Sequence, residues 1–323
     1  MSVIFDAARR GTVRENPVIV LFVLVTAMLA VTPFVTGSYM VSVVIFANYL
    51  AIAAMSWDFL AYTGELSFGH SFFLGIGGYT SALLGIHFGL PIPITVAAAV
   101  LASVAAGLLL GFPALRLTGP YLSLITLFAP VLLRRTIIIF SEVTNGEGGL
   151  VGVPSLEVGL IGEYYVSYLL MLITAVALLV MVRSNVGLIF QTIAADEEAT
   201  RSTGKSTTKY KLFAFSVSGA FAGLSGAMLA HFLGSISPAS HVVLSVSIDI
   251  LIAALLGGVT TIIGPIIGAY IVQVVGEQLR FLFEFREMLF LILALVIIYT
   301  TPRGLYGESR ARLGEIVEKI RGK

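Results

Sequence analysis

Ten apolar runs, each close to the length of a membrane-crossing helix, follow one another from Pro17 to Thr301. They are Pro17–Thr36, Tyr39–Leu60, Leu66–Ile86, Ile94–Gly111, Gly119–Phe140, Tyr164–Val182, Leu212–Leu233, Val242–Gly257, Pro265–Phe283 and Met288–Thr301. A helix needs about 20 apolar residues to cross the hydrocarbon core, and in lipid only helices and closed barrels satisfy every backbone N–H and C=O. The fold class that follows is all-α: a polytopic transmembrane helix bundle of about eight to ten spans. Gly and Pro interrupt several runs, the pattern of a broken or re-entrant helix, and the third, eighth and last two are the weakest. Only 11% of the residues are charged, against about 25% in a soluble domain. A net charge of +1 argues against nucleic acid as a partner, because nothing would displace counterions from a phosphate backbone. The chain has no cysteine, so thiolate catalysis, disulfides and cysteine metal sites are out. The second run follows the first almost at once, so the first reads as a retained span and not as a signal peptide.

Orientation follows from Lys and Arg, which collect on the cytoplasmic side. Arg9, Arg10 and Arg14 lie in the tail 1–16. Arg183, Arg201, Lys205, Lys209 and Lys211 lie in the connection 183–211, and Arg303, Arg310, Arg312, Lys319, Arg321 and Lys323 in the tail 302–323. With Arg116 these make 15 of the 19 basic residues, and ten spans put them all on one side. The connection 142–163 carries Glu142, Glu147, Glu157 and Glu163 without Lys or Arg and falls on the other side. Both termini are therefore expected in the cytoplasm, flanking a permease domain over 17–301. Arg134, Arg135, Arg280 and Arg286, near the outer ends of spans, strain this arrangement. Glu308–Lys323 reads as a short amphipathic helix at the interface.

Gly107–Gly111, Gly219–Gly223 and Gly264–Gly268 are small-xxx-small pairs that let helix backbones approach closely. Two other motifs are decoys. Ser202-Thr-Gly-Lys-Ser-Thr207 imitates the end of a phosphate loop, but Ala199 stands where the first Gly must be and no strand precedes it. ATP is therefore expected on partner subunits and not on this chain. Gly223-Leu-Ser-Gly226 with Ala230-His-Phe-Leu-Gly234 imitates an intramembrane serine protease of the rhomboid type. Ser225 and His231 would sit on one helix, about 240° and 9 Å apart, beyond the ~3 Å a nucleophile and its base require. Ser225 reads as a packing residue and His231 as an interfacial one. His70, His87 and His241 show no zinc spacing, so no metal and no enzyme activity are expected.

Two segments are specific together. Gly64-Glu-Leu-Ser-Phe-Gly-His-Ser-Phe-Phe-Leu-Gly-Ile-Gly-Gly-Tyr79 is a Gly-rich span entered through Glu65, Ser67 and His70, with Gly64, Gly69 and Gly75 as structural glycines. Glu198-Ala-Thr-Arg-Ser-Thr-Gly204 fits an E-A-A-x-x-x-G pattern, with Thr200 replacing the second Ala. Tyr210-Lys-Leu-Phe-Ala-Phe215 and Ala222-Gly-Leu-Ser-Gly-Ala227 follow, then Leu256-Gly-Gly-Val-Thr260, containing Gly257 and Gly258, and Gly264-Pro-Ile-Ile-Gly-Ala269. Asn145-Gly-Glu-Gly-Gly-Leu150 marks the outer connection. In this order, from about Tyr39 to Gly304, they resemble the longer permease subunit of branched-chain amino acid ABC importers. Pro130 departs from the Gly or acid frequent there.

The resemblance implies a second permease subunit, two cytoplasmic ABC ATPases, a solute-binding protein outside, an amino acid as substrate and a prokaryotic inner membrane. Urea, short amides and sugars are the alternatives within related permeases. Glu198, Ala199, Thr200 and Gly204 would form the ATPase-coupling element. Gln191–Thr203 is expected as its helix, stopped by Gly204. Intramembrane acids cost about 2.5–3.5 kcal/mol on insertion scales, so Asp58, Glu65 and Asp249 need reasons. Glu65, Ser67, His70 and Asp249 are candidates for the translocation path, with Ser245 and Ser247 sharing the hydration of Asp249. An ion-coupled secondary transporter using Asp58 or Asp249 is the rival reading, one that has no use for the E-A-x-x-x-x-G connection.

Overall fold

The computed structural model describes residues 29–114 and 121–279, together with residues 292 and 295. The tail 1–16, most of the first run, Arg116, nearly all of the run Met288–Thr301, and the tail 302–323 with its amphipathic segment lie outside the described residues. Residues 29–35 are helical. The Tyr164 hydroxyl donates to the Leu29 carbonyl, and Tyr165 to that of Ala30 at 3.0 Å.

Helix α1 (Ser38–Ala61) is followed by a connector that turns at Gly64, φ 80°. Helix α2 (His70–Phe88) stops at Gly89, whose left-handed backbone suits a residue without Cβ. Helices α3 (Ile92–Ala114), α4 (Tyr121–Ile139) and α5 (Gly159–Arg183) complete the first half. Ser184 ends α5 and caps α6 (Asn185–Ala195) by accepting the Val186 N–H at 3.2 Å. Helix α7 (Glu197–Ser202) leads into α8 (Thr207–Leu233). The run Val242–Gly257 is broken at its start: a single turn over Pro238–His241 precedes α9 (Leu244–Gly257). Helix α10 (Gly264–Gln278) returns beside it. Among the described residues, seven segments are long and apolar enough to cross a membrane, and the chain is a multi-pass helical membrane protein.

Helices α1 and α8 form the centre, with α8 packed on α1, α2 and α3, and α1 on α5, α9 and α10. Glycine sets these distances. A Cβ on Gly77 of α2 would lie 2.1 Å from the Gly223 carbonyl oxygen of α8, and one on Gly226 2.1 Å from that of Leu74. The three small-xxx-small pairs face neighbours in the same way, Gly107 and Gly111 against α8, Gly219 and Gly223 against α2 and α3, Gly264 and Gly268 against α9.

The two longest connections lie at opposite ends. Residues 140–158 meet the C-terminal ends of α2 and α8: β1 (Leu150–Val151) pairs antiparallel with β2 (Ser235–Ile236), Leu150 opposite Ile236. Residues 184–206 meet the C-terminal end of α1, the connector that follows it and the N-terminal part of α8.

Candidate functional site

The segment expected as one helix over Gln191–Thr203 is two. Asp196 adopts extended backbone (φ −161°) and its Oδ1 accepts the Ala199 N–H at 2.9 Å, which starts α7 anew. An Asp before two Glu is an N-cap signature, and reading through it hid the break. Gly204 ends α7 with φ 81°. Glu198 and Ala199 are exposed, whereas Thr200 is buried and donates to the Asp196 carbonyl at 2.8 Å.

This segment is joined to the bundle in three ways. The Phe190 ring of α6 meets Phe59 of α1 edge-on, centroids 5.5 Å apart. The Gly64 backbone lies against Ala194, so that a Cβ there would be 3.1 Å from the Ala194 Cα. The Lys211 ammonium of α8 donates to Glu65 at 2.6 Å and to Glu197 at 2.5 Å. Glu197 also accepts from Thr207 at 2.8 Å and from Arg201 at 3.0 Å. Partial burial opposes ionisation of Glu197, but the Lys211 and Thr207 hydrogen bonds and the Lys211 and Arg201 charges outweigh it and hold its carboxyl below the usual range. The entry to the Gly-rich span and the start of α7, far apart in sequence, are thus linked through Lys211.

Asp58 finds its reason at the same end. Its carboxylate accepts the backbone N–H groups of Thr260, Thr261 (3.0 Å) and Ile262 (2.8 Å) in the turn between α9 and α10. Tyr62 adds a hydrogen bond to the Thr260 carbonyl at 2.5 Å. Thr260 and Ile262 have φ of 61° and 57°, a region that β-branched residues rarely occupy unless the surroundings enforce it. The buried acid supplies that enforcement.

A cavity of about 460 Å³ lies between α1, α2, α8, α9 and α10, within the range of small-molecule sites. Its wall draws on the N-terminal half of α9 and the C-terminal half of α10, which places it toward the 140–158 end. Asp249 and Ser245 of α9, Val272 and Gln273 of α10, Phe46 of α1 and Leu229 of α8 line it together. Ser247 turns the other way, accepting the Ser71 N–H at 3.0 Å and donating to the Ser71 hydroxyl at 2.8 Å, so of this pair of serines only Ser245 lines the cavity with Asp249.

The other path candidates lie off this wall. Glu65 is held by Lys211 at the opposite end. Ser67 and His70 are buried in packing: the Ser67 carbonyl accepts Trp57 Nε1 at 2.7 Å, and its hydroxyl meets His70 Nδ1 at 3.3 Å. His70 Nε2 meets Ser218 Oγ at 2.9 Å, and Ser218 donates to the Ser56 carbonyl at 2.6 Å, an order that assigns the ring proton to Nε2. His231, expected at an interface, is instead fully buried against Ser81 (2.7 Å) and the Pro154 carbonyl (2.6 Å). Ser225 donates to the Tyr49 carbonyl at 2.7 Å. The protease-like pair thus has separate partners.

A multi-pass helical bundle with a ligand-sized cavity toward one end and an ion-paired helical connection at the other is organised as a transport subunit. Residues 39–301 match the family described as "Branched-chain amino acid transport system / permease component", and the chain belongs to that family, one of non-catalytic permeases. It is similar to the high-affinity branched-chain amino acid transport system permease protein LivM of Salmonella typhimurium and to LivM of Escherichia coli. Each is 29% identical over 341 residues, covering 96% of this chain and 79% of the relative. No solved structure matches the chain.

Proposed function

We propose that this chain is the longer permease subunit of an ATP-driven importer for hydrophobic amino acids, branched-chain ones first. It works beside a second permease in a prokaryotic inner membrane, with both termini and the 183–211 connection cytoplasmic and the 142–163 connection outside. A solute-binding protein delivers the amino acid there, and two ABC ATPases bind nucleotide and dock on α7. The observation that carries this reading is the link of α6, through Ala194, and of α7, through Lys211, to the connector that enters α2, at the end opposite the cavity. An ATPase seated on the exposed Glu198 and Ala199 moves a segment joined to α1, α2 and α8. Those helices also line the cavity, through Phe46, Leu74 and Ser225, which gives alternating access a mechanical route.

The cavity chemistry favours a zwitterion with an apolar side chain. The Asp249 carboxylate takes the ammonium, Ser245 and Gln273 offer donors to the carboxylate, and Phe46, Leu229 and Val272 accept the side chain. A neutral urea or sugar can donate hydrogen bonds to the acid but lacks the charge that pairs an ammonium with it. Of the two acids that an ion-coupled transporter could use, Asp58 is committed to backbone N–H groups, which leaves Asp249 to that rival. The test is tagged purification followed by leucine uptake in proteoliposomes. Copurifying ATPases and uptake that requires ATP are expected; uptake driven by an ion gradient without them overturns the reading. Cysteines at Ser206 and Ser155 test the topology, since in intact cells an impermeant reagent is expected to label only the second.

A further inference from the structure

We infer that Lys211 is the positioning residue of the coupling step, its ammonium tying α7, through Glu197, to the α1–α2 connector, through Glu65, so that both move with α8. This rests on the importer reading and adds the element that transmits the motion. The Lys211 side chain is 10% exposed and that of Glu65 17%, so their bond is screened far less than a surface pair. Lys211 lies in the second turn of α8. The groups that hold its buried charge are the two carboxylates that meet it.

The charges run Glu65, Lys211, Glu197, Arg201, two acids alternating with two bases, and the cluster is neutral as a whole. It reaches three separate elements, while direct packing between connector and segment rests on the close approach of Gly64 to Ala194. Helix α8 does not depend on the ammonium for its place, because its length is packed on α1, α2 and α3. Buried ion pairs add little net stability over apolar isosteres. What Lys211 contributes is therefore a fixed relation between α7, the connector and α8, through which a push on α7 reaches the start of the Gly-rich span.

The experiment measures leucine imported per ATP hydrolysed, in proteoliposomes holding the whole complex with its ATPases and binding protein. Lys211→Met keeps the apolar stem and removes the charge; Glu65→Gln cuts the connector arm and leaves the pair with Glu197. Both variants are expected to copurify with the ATPases, with leucine per ATP at least tenfold lower for Lys211→Met and severalfold lower for Glu65→Gln. Lys211→Arg is expected to restore most of the ratio. If Lys211→Met fails to assemble, Glu65→Gln decides alone. An unchanged ratio in Glu65→Gln overturns the inference, as does a loss of uptake that only mirrors a loss of assembled complex. In either case the importer reading stands, since it fails only if the unaltered chain neither copurifies with ATPases nor imports leucine with ATP.

Discussion

At the 184–206 end, connections are held by bonds to buried or half-buried charges: Asp58 on the α9–α10 turn, Lys211 between Glu65 and Glu197. At the 140–158 end most of the holding groups are neutral, the exception being the buried Glu163, which hydrogen-bonds the Leu156 backbone. A two-residue ladder joins β1 to β2, and His231 sits between Ser81 and the Pro154 carbonyl. The charge pair found there, Arg134 with Glu147 at 3.2 Å, is exposed. In the proposed importer, directional bonds to charges would let the 184–206 end shift as one piece. In the same proposal, the two-residue ladder would let the loop beside the cavity move aside at little cost.

The largest expected effect tests the charged end. Asp58→Ala leaves three backbone N–H groups without their acceptor, at about 1–3 kcal/mol each. It also removes what enforces φ 61° and 57° at Thr260 and Ile262. A loss of about 3 kcal/mol or more is expected, read as lost monodisperse protein in detergent and a lower melting temperature. Asp58→Asn, which keeps one acceptor oxygen, falls between. If Asp58→Ala melts with the unaltered protein, the clamp does not hold this end. Next comes the centre between the ends. In Gly77→Val the new Cβ meets backbone at 2.1 Å, which cannot step aside, and about 1–3 kcal/mol is expected from forcing α2 and α8 apart. Gly204→Val costs only its left-handed backbone, about 1 kcal/mol, since nothing lies within 4 Å of a Cβ there. Equal melting shifts for the two would contradict the close crossing.

The sequence made the spans and glycine crossings legible because both are local signals, one of composition and one of spacing. It also made Gly204 legible, since a helix stop is written in the stopping residue. It hid whatever depends on which helix lies opposite. Asp58 was recognisable as costly, but the turn it clamps is two hundred residues on. Glu65 looked like a path residue because it precedes the Gly-rich span, and only the fold brings Lys211 to it. Glu197 went unread beside Glu198, although α7 turns Glu197 toward Lys211 and leaves Glu198 exposed. Asp249 was singled out on cost alone, and the structure puts it on the cavity wall. Gln273 had no signal, for an amide in an apolar run carries no charge to betray it.

The cavity end yields the next effect in size. Asp249→Asn keeps the shape of the wall and removes its charge, so the amount of assembled protein is expected to stay constant while leucine uptake falls at least about tenfold, a loss of about 1.4 kcal/mol. Asp249→Glu is expected to retain part of the uptake. Unchanged transport in Asp249→Asn would leave the cavity without a role for its acid and remove the preference for a zwitterion.

The smallest effect is one of pH, and it separates the ends most directly. Folding lowers the carboxyl pKa of Glu197 from its ordinary 4.5. A lowered pKa contributes stability that is present above the unfolded value and lost as pH falls through the folded one. The melting temperature of the unaltered protein should therefore exceed that of Glu197→Gln at about pH 7, with the gap closing progressively below about pH 4.5. Salt at about 1 M should reduce the part due to Arg201, whose side chain is 62% exposed. It should spare more of the part due to Lys211, which is largely buried. At the other end, Glu147→Gln should shift stability by less than about 1 kcal/mol, as for an exposed pair. A gap for Glu197→Gln that persists unchanged at about pH 4 would mean that the shape of Glu197, and not its charge, holds α7. The ionic contrast between the ends would then rest on Asp58 and on the Lys211–Glu65 pair.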